Sequence, residues 1–132
     1  MRRSISLRVG IVVLLLTARE SIAQDKFPGR LQGFWGDSKE TCNVLRTKGP
    51  AYLRKDQLWL KISPTDVLGS TLGRFLRETP ARMVNRDPAA FSFEIQTLDE
   101  RRDTVDLTLS IDGHLYETIV GFRASQIYQR CN

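Results

Sequence analysis

In this 132-residue chain the side chains able to do chemistry are few: two cysteines, one histidine and 15 carboxylates set against 20 basic groups. His114 follows an Asp112-Gly113 turn, and no G-x-S-x-G elbow supplies a nucleophile for it to activate. Carboxylate pairs such as Asp103/Asp106 and Glu94/Asp99 have the chemistry of glycoside cleavage, but they fall on turns and outward strand positions. The chain has no glycine-rich phosphate loop, no D-x-D-x-D-G calcium loop and no C-x-x-C pair, and only one histidine is available to complete a metal set. No catalytic residue, metal ligand or cofactor is therefore expected.

The cysteines have a simpler chemistry open to them. Arg2, Arg3 and Arg8 make a basic start, Val9 to Ala18 is an apolar run, and Ser21-Ile22-Ala23 fits small-x-small cleavage before Gln24. This pattern predicts a secretory signal peptide over residues 1–23 and a single domain over residues 24–132, in the periplasm or outside the cell. Ten apolar residues as a helix reach about 15 Å, half of the roughly 30 Å of a bilayer core, so no transmembrane span is expected in the mature chain. In an oxidising compartment Cys42 and Cys131 are expected to pair. Closing a loop of about 90 residues stabilises a fold by roughly 4–5 kcal/mol on chain entropy, comparable with the whole stability of such a domain.

Export also changes the charge. Without residues 1–23 the chain has 109 residues, with 16 Lys+Arg and 14 Asp+Glu, and its net charge falls from +5 to +2. A nucleic-acid partner is not expected at that charge. The most basic mature stretch holds Arg74, Arg77, Arg82 and Arg86 against Glu78 alone. It is a candidate surface for an acidic partner or a lipid headgroup. An ordinary solvated face is the simpler reading, because no aromatic series is interleaved with the charges.

The elements that must position these groups are mostly strands. Leu31–Trp35, Thr41–Leu45 (carrying Cys42) and Ala51–Leu53 read as short strands, and Leu58, Leu60 and Ile62 alternate with Trp59 and Lys61. Trp59 shares the outward parity of Lys61, which makes it an exposed ring, a ring beneath a helix, or a contact residue. Ser63, Pro64 and the spacing of Val67, Leu68, Thr71, Leu72, Phe75 and Leu76 predict a helix over residues 64–76. Gly69 and Gly73 each weaken a helix by about 1 kcal/mol, so two strands joined near Gly69 are the alternative. Phe91/Phe93/Ile95 and Val105/Leu107/Leu109/Ile111 alternate cleanly, and Asp112-Gly113 marks a hairpin. A two-residue turn pairs Val105 with Val120 and brings His114 to the inner rim; a three-residue turn pairs Ile111 with Leu115 and turns Glu117 inward. A last strand over Ser125–Cys131 returns Cys131 towards Cys42. Together these predict a mainly β fold, a small antiparallel meander or barrel of about six to eight strands, with an open sheet covered by the 64–76 helix as the alternative.

The Gly33-Phe34-Trp35 segment, within LQGFWG, resembles the G-x-W signature of the lipocalin and calycin β-barrels. The resemblance implies that Trp35 plugs the closed end of a barrel beneath an arginine of the last strand, Arg130 ahead of Arg123. The chain is shorter than a usual lipocalin and lacks room for the long C-terminal helix, so side chains rather than a ligand can fill the interior.

The function expected from these readings is binding, by an exported β-domain, of an envelope protein, an envelope component or a small apolar ligand. A periplasmic inhibitor of a lysozyme-like, envelope-degrading enzyme is the first alternative, although the S-G-x-x-Y loop of one such family is missing; a secreted enzyme of unfamiliar type is the second. An exposed Trp59 beside the arginines would favour a protein contact, and an open interior lined by Phe91, Phe93 and Leu107 a small ligand.

Overall fold

The computed structural model describes residues 26–79, 90–121 and 125–132. Eight antiparallel strands, each bonded to its neighbours in chain order, close into a barrel. They are β1 (Gly33–Gly36), β2 (Trp59–Ile62), β3 (Asp66–Gly69), β4 (Gly73–Thr79), β5 (Ala90–Gln96), β6 (Arg102–Leu109), β7 (His114–Ile119) and β8 (Gln126–Arg130), with one helix, α1 (Lys39–Thr47), between β1 and β2. The expected mainly β, barrel-forming fold is present. Closure follows from alternation: each strand has one apolar face, and joining β8 to β1 through Trp35↔Arg130 and Gly36↔Gln129 leaves no unpaired edge.

Three expectations are corrected. Residues 64–76 are not a helix but the β2–β3 turn followed by β3 and β4, the two-strand alternative. Gly69 adopts φ +117°, open to glycine at little cost, and its missing side chain makes room for the Trp59 carbonyl and ring. Thr41–Leu45 is not a strand but the middle of α1, and Ala51–Leu53 falls largely in a 3-10 turn over Pro50–Tyr52. Ser38 caps α1 by accepting from the Thr41 amide at 3.1 Å, a bond worth about 1 kcal/mol. Thr41 and Leu45, four residues apart, form its buried stripe. Local propensity read as strand lost to this cap.

The third correction concerns the β6–β7 hairpin. Val105 pairs with Ile119, Leu107 with Glu117 and Leu109 with Leu115. The loop is the three residues Ile111, Asp112 and Gly113, closed by Ser110 and His114, so Ile111 sits exposed in the turn and not in the strand. The shift from the three-residue register is two places, which preserves strand parity and keeps Glu117 inward.

The interior is filled by side chains. Phe27, which precedes the barrel, packs edge-on against Phe75 and Phe93 with ring centroids 5.0 and 5.1 Å apart. Leu31, Trp35, Leu60, Ile62, Ile95, Leu107, Leu115 and Tyr128 complete the same core. Cys42 and Cys131 form the expected disulfide, their Cα atoms 5.0 Å apart, which fastens α1 to the end of β8 over Gly36. Among the described residues no helix is long and apolar enough to cross a membrane.

Candidate functional site

Strand connections divide the barrel into two ends. Residues 27–32, the β2–β3 turn and the β6–β7 hairpin lie at one; the β3–β4, β5–β6 and β7–β8 connections lie at the other. At the first end Trp35 is fully buried and its Nε1 donates to the Leu31 carbonyl at 2.9 Å. The Arg130 guanidinium lies 4.2 Å from the centre of the Trp35 ring and donates to the Gln32 and Arg30 carbonyls at 2.8 and 2.5 Å. Arg30 in turn covers Phe91 at 4.5 Å. Two arginines thus cover aromatic rings at this end with their flat faces, and the N–H groups of Arg130 also satisfy two backbone oxygens.

The opposite end is built differently. Glu117 points inward and is 4% exposed. Its Oε1 accepts from Thr71 Oγ1 at 3.0 Å and from the Tyr128 hydroxyl at 3.4 Å, while Oε2 is buried without a partner. Burial holds the Glu117 carboxyl above its ordinary range, and the two hydroxyl donors oppose that shift only in part. The Tyr128 phenol is pushed up as well, chiefly by burial and then by the neighbouring Glu117 charge.

On the outside of this end, next to the β3–β4 turn, is a cleft of about 320 Å³ whose apolar part is Leu68, Leu72 and Leu98 and whose rim carries Asp66, Arg74, Gln96 and Glu100. The leucines are 45%, 42% and 84% exposed. Leu68 and Leu72, read from the sequence as one apolar helix face with Val67 and Phe75, are instead separated from them by strand alternation: Val67 and Phe75 turn in, Leu68 and Leu72 turn out. Leu98 drew no attention in the sequence. Its signal was an isolated apolar residue inside the polar turn Thr97–Glu100.

Arg74 and Arg77, the described arginines of the basic stretch, have separate partners. Arg74 lines the cleft and donates to Gln96 at 2.9 Å. Arg77 bonds Glu94 at 2.7 Å, and Arg102, far away in sequence, reaches the same carboxylate at 3.5 Å. Arg82, Arg86 and Arg123 lie outside the described residues. Trp59 is half-buried; its backbone exchanges hydrogen bonds with Ser70, amide to hydroxyl at 3.0 Å and carbonyl from amide at 2.8 Å. It does not line the cleft. His114 is partly exposed on the β6–β7 hairpin, with Nδ1 2.9 Å from Asp112 Oδ2.

The fold and its surface define a small closed antiparallel barrel with a side-chain-filled interior and an apolar cleft beside one mouth. No protein-family model, curated protein or solved structure matches this chain.

Proposed function

We propose that this protein is a non-catalytic binding domain, exported from the cytosol, that engages a protein partner through the outer cleft beside the β3–β4 turn. The observation that carries the reading is the contrast between inside and outside. Phe91, Phe93 and Leu107, the residues that would line a ligand chamber, pack within a core already occupied by Phe27 and Phe75, whereas Leu68, Leu72 and Leu98 stand together in water. Three convergent leucines ringed by Asp66, Arg74, Gln96 and Glu100 have the form of an interface centre: an apolar anchor site with a polar rim. Inhibition of an envelope-degrading enzyme is one use that such docking would serve. The Cys42–Cys131 disulfide supports export, since such bonds persist in oxidising compartments. The seat of Arg130 on Trp35 supports a lipocalin-like ancestry for the barrel.

Site-specific photo-crosslinking tests the reading. A photoreactive residue at Leu98, in the full chain expressed in its own cells, is expected to capture one protein, while the same residue at Ile111, exposed at the other end, is expected to capture none. Equal capture at both positions, or none at Leu98, overturns it.

A further inference from the structure

The β3–β4 turn faces two ways. Ser70 and Leu72 are exposed, yet Thr71 between them is 6% exposed and inserts its hydroxyl into the barrel mouth, where it donates to Glu117. A glycine stands on each side. Gly69 has φ +117°, and at Gly73 a side chain would meet Ile95 at 2.7 Å, so neither position carries a group that would brace the turn from the flank. The ladder beneath is short, with only Asp66↔Arg74 and Val67↔Gly73 in register. The turn is held instead by two small sets of bonds: Ser70 to the Trp59 backbone and to the Tyr128 hydroxyl, and Thr71 to Glu117.

Among the described residues the inner anchor is a carboxyl group without a cation. From β7 it faces Leu107 on β6, Tyr128 on β8 and Thr71 on the turn, and the described groups that stabilise its charge are the Thr71 and Tyr128 hydroxyls. The next charged group acting on this cluster is Asp37, which bears on Tyr128 and is itself acidic. A lone carboxylate in such a place is strongly desolvated, and displacing the turn that bonds it would admit water.

We propose that the Ser70–Leu72 turn is a pH-operated latch, shut while Glu117 is protonated and released outward about Gly69 and Gly73 when Glu117 ionises and hydrates. The direction follows from linkage. The shut form binds the Glu117 proton more tightly than the released form, so the shut form prevails below the ordinary glutamate range, and rising pH through the elevated value favours release. The outer consequence rests on the docking reading above: Leu72 and Gly73 line the cleft, so releasing the turn takes the cleft apart. A partner bound at acid pH would then be shed as the pH rises.

Amide exchange by NMR on the full, disulfide-linked chain tests the latch, with the Glu117 carboxyl followed in the same samples. Between about pH 4 and pH 9 the protection of the Ser70 amide, corrected for intrinsic exchange, is expected to fall about tenfold in step with Glu117 ionisation, while Leu107 and Leu115 keep theirs. Glu117→Gln is expected to hold Ser70 protection high and flat. Thr71→Val, which keeps the volume and removes the donor, is expected to lower it about tenfold already at the acid end. An ordinary titration of Glu117, an equal fall in Glu117→Gln, or joint loss from Leu107 and Leu115 overturns the latch. Crosslinking from Leu98 at the two pH limits separates the two ideas. A latch that works while capture stays unchanged overturns the control of docking and leaves the latch standing; capture lost at high pH supports both.

Discussion

The two ends of the barrel bury their last residues by opposite means. At one, Phe27, Leu31 and Trp35 are buried in the apolar core, Arg130 lies over the Trp35 ring and Arg30 lies over Phe91. At the other, a threonine on a short turn is bonded to a buried carboxyl group that has no cation beside it among the described residues. The first end is held by many interlocking apolar contacts, each small and all additive in sign. The second is held by the Ser70–Trp59 bonds, the Thr71–Glu117 bond and the protonation state of one carboxyl group. On the latch proposal, the barrel is fixed at one end and adjustable at the other.

The contrast is broken most directly at the plug. Trp35→Ala is expected to cost about 3–5 kcal/mol in urea unfolding, and a loss under about 1 kcal/mol would remove the ring from the core. Arg130→Ala should come next, at about 1–3 kcal/mol, because it removes the guanidinium from the ring and leaves the Arg30 and Gln32 carbonyls without their donor.

Glu117→Gln is expected to change sign relative to these and to raise stability by about 1–2 kcal/mol at neutral to alkaline pH. Because the folded chain holds the Glu117 proton more tightly than the unfolded chain, wild-type stability is full below the ordinary glutamate range. It declines as pH rises towards the elevated value, and the gain from glutamine should vanish at about pH 4. Thermal melts at the two pH values check this. Arg77→Ala, which removes an exposed guanidinium from a Glu94 carboxylate that keeps Arg102, should fall within about 1 kcal/mol by the same melts.

Much of the barrel could be read from residue order because its logic is local. Phe91/Phe93/Ile95 and Val105/Leu107/Leu109 alternate with polar residues, and alternation of period two specifies a strand with one buried face whatever its neighbours are. The failures also have physical causes. Thr41–Leu45 has strand-forming residues, yet the Ser38 cap and the i, i+4 burial of Thr41 and Leu45 made a helix of it. Val67, Leu68, Thr71 and Leu72 satisfy helical spacing and strand alternation about equally well over so few residues, so the decision fell to Gly69 and to pairing with β2. The outer cleft was hidden for the same reason, since Leu68 and Leu72 read as part of one apolar helix face. The arginine run could not show its partners: neighbours along the chain are not neighbours on a sheet, where Arg77 of β4 and Arg102 of β6 share Glu94 of β5.

Residue order alone determined that most of the chain would form strands with one apolar face, since periodicity acts within a few residues, and that Cys42 and Cys131 are the two thiols available to pair. The tertiary structure alone decided the pairing register, the outward placement of Leu68, Leu72 and Leu98, and the enclosure of Glu117 beneath Thr71. Those depend on which strand lies beside which and on where the turns close. Such choices are made by the sum of long-range packing over the whole barrel, and no segment carries enough of that sum to settle it by itself.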